Sequence, residues 1–337
     1  MSLRWQDRLS PYSDGMEKFW DCIVVGAGAA GLSAALVLGR ARQRTLVVDA
    51  GGQSNRDAHG IGGLLGQDGR PPAAFYAAGR EELARYPSVE VRAGEVVGGE
   101  RHEAGFVLEL ADGSREVARR VLLATGMNYR FPELPGIAER WGRSVFHCPF
   151  CHGWEVRDQQ LGVLDRGASG VRRALLLRVW SGDVTLFADG PSELDAEDVE
   201  RLLVTGVPVD ERRVAELRGP GSALTAVVFA DGGERPCAGL LVPVTMQQRS
   251  ALAEQLGAAA SDPGPVVVDA IEVDPMFQTS VPGLSAAGDV SSKVLPSVAN
   301  AVAAGSSAAA MIVQDLISEA HGLTAASRLA RAAGGTQ

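Results

Sequence analysis

The chain has 337 residues, enough for two domains of ordinary size with a core each. Apolar residues make up 46% and aromatics only 5%, so these cores are expected to be built of Ala, Val and Leu; 41 glycines point to many tight turns and close backbone approaches. A net charge of -9 argues against a nucleic-acid partner, whose phosphates require a positive footprint.

The first twenty residues alternate charge with isolated apolar residues and offer no apolar stretch for an export signal. No later apolar run is long enough to span a bilayer. The expectation is a cytoplasmic, acidic enzyme with no membrane partner.

Residues 22–50, CIVVGAGAAGLSAALVLGRARQRTLVVDA, read as an apolar strand, a glycine turn, a helix with period 3.6, and a second apolar strand ending in an acid. Gly26 permits the sharp turn, Gly28 lets the backbone approach a pyrophosphate, and Gly31 allows the helix to pack closely on the strand. The helix N-terminus presents oriented N–H groups to phosphates, and Asp49 is placed for ribose hydroxyls. A lone G-x-G-x-x-G is a weak signal. Strand, helix and acid around it make a dinucleotide-binding unit.

VLLATG, 121–126, predicts a strand ending in a small-residue turn, and NYRFPELPGI after it predicts a proline-rich crossing. Residues 161–189, LGVLDRGASGVRRALLLRVWSGDVTLFAD, repeat the first unit, with Asp165 opposite Gly26, Gly167 opposite Gly28 and Gly170 opposite Gly31. A carboxylate at this turn would repel a pyrophosphate and its Cβ would restrict the turn. Asp189 stands where an NADP site requires arginine. The fold is therefore expected to persist while its nucleotide chemistry is damaged. LVPVTMQQR, 241–249, is the return crossing; VPGLSAAGDV, 281–290, is a strand closing on Gly288 and Asp289; a small-residue helix follows from about Ser297 to Ile317. The chain is expected to be α/β, with two Rossmann-like domains, 1–127 plus 250–337 and an inserted 128–249.

FHCPFCHGWE, 146–155, places Cys148 and Cys151 one turn apart with His147 and His152 beside them. The pair alone is compatible with haem attachment, a zinc site or dithiol–disulfide cycling. Haem attachment normally needs export, for which no signal is seen, and zinc needs two further ligands. Cys22 and Cys237 are isolated and read as structural thiols, so no metal site is expected.

The fingerprint at 22–50, the ATG turn, Cys148-x-x-Cys151 at the head of an inserted unit and the late AAGD turn make the chain resemble low-molecular-weight thioredoxin reductases over residues 20–318. Within that superfamily CPFCHGWE is similar to the flavin-dependent dithiol oxidases that close disulfides in small natural products, the gliotoxin and holomycin type. The resemblance implies FAD in the first unit, along Gly26, Gly28, Ala29, Gly31, Asp49, Gly52, Gln53, Val96, Ala124, Gly126, Gly288 and Asp289. It places Asp289 near the ribityl chain, Cys151 facing the flavin and Cys148 exchanging with substrate, in a homodimer. Where reductases have an acid after the second cysteine, this chain has His152, and their basic cluster for NADPH is missing.

The flavin would supply the two-electron partner that cycling needs. Either flanking histidine could take the thiol proton. The implied reaction oxidises a small dithiol through Cys148 and Cys151, with O2 as acceptor and hydrogen peroxide as product. An NAD(P)H-dependent disulfide reductase running the other way, and a flavin-bound redox sensor without turnover, are the competing readings.

Overall fold

The computed structural model describes residues 19–103, 105–292 and 295–323, so most of the stretch read for an export signal lies outside the described residues. The apolar run after it becomes a central strand, β1 (Phe19–Val25), followed by α1 (Ala29–Arg40) and β2 (Thr45–Asp49). Then come α2 (Pro72–Leu83), β3 (Val89–Ala93), β4 (Val96–His102), β5 (Gly105–Leu110) and β6 (Arg115–Leu123). β1, β2, β3 and β6 run parallel, whereas β4 and β5 form an antiparallel meander, giving the order β3-β2-β1-β6-β5-β4. Both faces of β1 are covered, which explains why it reads as continuous apolar sequence: Ile23 and Val25 enter one core, Cys22 and Val24 the other.

β7 (Met127–Arg130) carries the chain out of this sheet. The second unit runs β8 (Val145–Phe146), α3 (Pro149–His152), β9 (Leu161–Leu164), α4 (Gly167–Leu177), β10 (Val184–Phe187), α5 (Ala196–Thr205) and β11 (Val209–Asp210). β12 (Val214–Arg218), β13 (Ala226–Phe229) and β14 (Glu234–Pro236) form a small antiparallel sheet before β15 (Gly239–Leu241) rejoins. The parallel order is β11-β10-β9-β15-β8, with the small sheet's Leu217, Val227 and Phe229 packed on one face. β16 (Thr245–Gln248) pairs antiparallel with β7, so the outgoing and returning crossings form one two-stranded ladder.

After α6 (Leu252–Gln255), β17 (Leu284–Ala286) joins β6 in parallel and α7 (Val298–Ala320) follows. The architecture is two Rossmann-like units of the thioredoxin reductase type, the second interrupting the first. α7 is long and apolar enough to cross a bilayer by length and composition, but its Ala301, Ala304, Ala308 and Ile312 are buried in the core shared with α1. A Cβ on Gly305 would lie 2.0 Å from the Ala30 carbonyl oxygen. That close approach brings the start of α7, capped by Ser297, to the mouth of the first unit's glycine turn.

Candidate active site

The carboxyl ends of β1, β2, β6 and β17 open into a cleft of about 390 Å³ that runs from the glycine turn to α3. Of the residues singled out in the sequence, Gly26, Gly28, Ala29, Asp49, Gln53, Val96, Ala124, Gly126, Gly288 and Asp289 line it, together with His147, Cys151 and His152. Gly31, Gly52 and Cys148 do not. Gly31 lies beneath the turn, where a Cβ would sit 1.8 Å from the Gly26 carbonyl oxygen. The Gly52 carbonyl accepts a hydrogen bond from Arg249, and Cys148 holds the outer side of a disulfide with Cys151.

The first turn has the shape of an anion cradle. Gly26 adopts φ +103 with its Cβ direction blocked 2.4 Å away by the Ala124 carbonyl oxygen, whereas a Cβ on Gly28 would meet nothing within 4 Å. No side chain caps α1, which leaves first-turn N–H groups for a ligand. Asp49 Oδ1 accepts from the N–H groups of Ala27 (3.1 Å) and Gly51 (3.2 Å), and Oδ2 accepts from Arg80 at 2.6 Å. A carboxylate has about four lone-pair sites, so one remains for a hydroxyl. At the far wall, Tyr129 donates to Asp289 Oδ2 at 2.9 Å. Desolvation raises the Asp289 carboxyl, and the Tyr129 bond and the Arg249 charge partly offset this.

The disulfide sits at the opposite end. A Cβ on Gly62, in the loop after β2, would meet the Cys151 carbonyl oxygen at 2.7 Å, so the loop presses directly on α3. His147 is packed between aromatic rings, with centroids 4.9 Å from Tyr129 and 5.7 Å from Trp141. Burial, reinforced by the His152 charge, holds its pKa down to about 4, so it is neutral at physiological pH.

His152 differs. Its Nε2 lies 3.1 Å from the Gly142 carbonyl oxygen, which can only accept, so Nε2 carries the proton. In the neutral ring Nδ1 is then a lone pair, buried with no hydrogen bond of ordinary geometry among the described residues and with the Cys148 carbonyl nearby. Burial pushes the His152 pKa down, while the carbonyls of Cys148 and Gly142 pull the other way and favour the imidazolium once a proton arrives.

The second unit's turn corrects one expectation. Asp165 is not a carboxylate projecting at an approaching pyrophosphate, and its Cβ does not strain the turn, because the left-handed position has moved to Gly167 at φ +57. Its Oδ1 accepts from the Arg166 N–H at 2.8 Å; Oδ2 accepts from the Ser169 hydroxyl at 2.9 Å and from Arg173. Asp165 is thus paired beside the start of α4, whose N-cap residue Arg166 carries no side-chain cap. Asp189 is likewise engaged, Oδ1 accepting from the Val214 N–H at 2.8 Å with Arg213 3.5 Å from Oδ2.

A family model described as pyridine nucleotide-disulphide oxidoreductase matches residues 20–305. The chain belongs to that family. Among curated relatives, "Thioredoxin reductase tcpT" of Claviceps purpurea is 33% identical over 312 residues, covering 90% of this chain and 96% of the relative. Among solved structures, an oxidoreductase from Agrobacterium tumefaciens is 38% identical with TM-score 0.82, over 88% of this chain and 98% of that one. The crystal structure of HlmI is 37% identical with TM-score 0.83, over 96% and 100%.

Membership in the pyridine nucleotide-disulphide oxidoreductases makes this chain an oxidoreductase and implies a flavin, which the glycine turn and the cleft fit. Several lining residues carried no sequence signal. Tyr129, Trp141 and Arg249 come from the crossings and the segment between them, where neither motif nor period marks a site. Asn55, which accepts from the Tyr76 hydroxyl at 2.8 Å, belongs to the loop after β2, where the resemblance marked only Gly52 and Gln53.

Proposed function

We propose that the protein is an FAD-dependent dithiol oxidase that closes a disulfide in a small dithiol of the natural-product type, with O2 as acceptor. One thiolate of the substrate attacks Cys148, forming a mixed disulfide and releasing Cys151 as thiolate. The second substrate thiol resolves it, so the substrate leaves as a disulfide and both cysteines are reduced. Bound FAD would accept the resulting two electrons and pass them to O2 as hydrogen peroxide. The exposure of Cys151, and not Cys148, to the cleft supports this division of labour. His152, with its bare Nδ1 beside the cleft, is the base we assign to the thiol protons; His147 serves as a neutral aromatic wall. Gly28 and the N–H groups of α1 would hold the pyrophosphate, Asp49 the ribose and Asp289 the ribityl chain. By the same resemblance the reading includes a homodimer, in the cytoplasmic setting expected from the sequence.

The observation that carries the direction of the reaction is Asp165. A carboxylate held at the start of α4 by Arg173 and Ser169 supports loss of nucleotide binding in the second unit, which a dithiol oxidase does not need. The names of the relatives favour a second reading, an NAD(P)H-dependent thioredoxin reductase. Anaerobic mixing of the oxidised enzyme with NADPH, NADH and dithiothreitol separates the two. Rapid bleaching by the dithiol alone, with peroxide formed on admitting oxygen, is expected; stoichiometric bleaching by either nucleotide would defeat the oxidase reading. A redox sensor without turnover would release no steady peroxide.

A further inference from the structure

Beside the cleft, a second cavity of about 400 Å³ opens at the seam between the two units. Ser54, Tyr129, Trp141 and Arg249 line both spaces, and Asn128 and Arg130 complete the second. Two guanidinium groups and no carboxylate face it. Elsewhere, arginines such as Arg80, Arg173 and Arg212 sit on acids. Arg249 donates to the carbonyls of Met127 and Gly52, which fix its position, and its charge also acts on Asp289. The Arg130 side chain has no hydrogen bond or ion pair among the described residues. Asp289, on the cleft side, is engaged by the Tyr129 hydroxyl.

We propose that this cavity binds the carboxylate of an anionic dithiol substrate. The inference rests on the dithiol reading above and narrows its substrate class. The cavity is well placed for such a group, because the rings of Tyr129 and Trp141, which wall it, both pack on His147, the residue immediately before the exchanging Cys148. A dithiol exchanging at Cys148 with an acid on a flexible chain would span one aromatic layer to reach the arginines. A guanidinium presents paired N–H donors that match a carboxylate, with Asn128 and Ser54 as neutral donors beside it. For a partly exposed site this should favour the acid over its amide by about tenfold.

The test uses lipoate and its neutral amide. Calorimetric titration of the two oxidised compounds into the disulfide form of the holoenzyme reads binding without turnover. Steady peroxide production in air with dihydrolipoate, dihydrolipoamide and dithiothreitol then reads KM and kcat. In the parent protein lipoate should bind about tenfold more tightly than lipoamide, and dihydrolipoate should have the lower KM at similar kcat. High salt should shrink the gap, and Arg130→Gln, at an exposed side chain without partners, should close it while leaving dithiothreitol unaffected. Equal affinities in the parent, or an undiminished gap in the variant, would overturn the proposal. Bleaching by NADPH that disappears in Arg130→Gln would assign the arginines to a nucleotide phosphate and overturn it too. Failure of all three dithiols would instead sink the dithiol reading on which it rests.

Discussion

At the scale of single residues, the two histidines beside the disulfide are chemically unlike although the sequence presents them symmetrically. His152→Gln keeps a donor for the Gly142 carbonyl but removes the basic nitrogen, so dithiol-driven flavin bleaching should slow by about 10²–10⁴-fold with flavin content unchanged. His147 should register in stability instead. Its folded pKa, about 4, lies below the ordinary 6.5, so the unfolded chain binds the proton first as pH falls. The contribution is fully present above pH 6.5 and is lost on the way down through pH 4, amounting to about 3 kcal/mol. Urea melts at intervals across that window should show this slope, and His147→Phe should flatten it. An unchanged slope in the variant would mean that another group titrates.

At the scale of elements, the glycine turn between β1 and α1 separates folding from binding within three residues. Gly26 is bound by positive φ and by the Ala124 carbonyl, whereas Gly28 faces open space. Gly26→Val should therefore lower the melting temperature of the apoprotein, with about 3 kcal/mol or more lost. Gly28→Val should melt normally yet purify colourless; a flavin-replete Gly28→Val protein would show that the pyrophosphate does not pass there. The equivalent turn before α4 differs, since its Asp165 is paired with the Arg166 N–H, the Ser169 hydroxyl and Arg173. Its departure from the glycine pattern was legible in the sequence. That the carboxylate turns inward was not, because Arg173 lies eight residues away and only the helix brings it back.

At the scale of the whole molecule, the inserted unit is docked so that α3 faces the first unit's cleft. Arg143 Nε donates to the Asp57 carbonyl at 2.8 Å, and Gly62 lies against the Cys151 backbone. Gly62→Val would force α3 away from the cleft without touching either sulfur. Reduction of the flavin by dithiols should then slow by about 10²-fold, because thiol and acceptor must meet at fixed geometry. Trapping of an added disulfide by the free Cys148 thiol, whose attack forms the mixed disulfide and releases the other half as thiolate, should continue at the parental rate, measured by mass spectrometry in a Cys151→Ser background. Loss of trapping as well would show that the docking shapes the substrate site itself.

The sequence by itself determined the two strand–turn–helix–strand units, the interruption of one by the other, and the Cys148–Cys151 pair, because glycine spacing and apolar period act over short range. With the family resemblance it also marked ten residues of the first unit's cleft, from Gly26 to Asp289. Only the tertiary structure decided that Tyr129, Trp141 and Arg249 wall that cleft, and that His152 keeps a bare nitrogen while His147 is packed between rings. The physical reason is packing in each case. Tyr129 and Arg249 reach the cleft beside the β7–β16 ladder, which pairs segments far apart in the chain, whereas each histidine's partners are set by the packing around α3, which the sequence pattern does not encode.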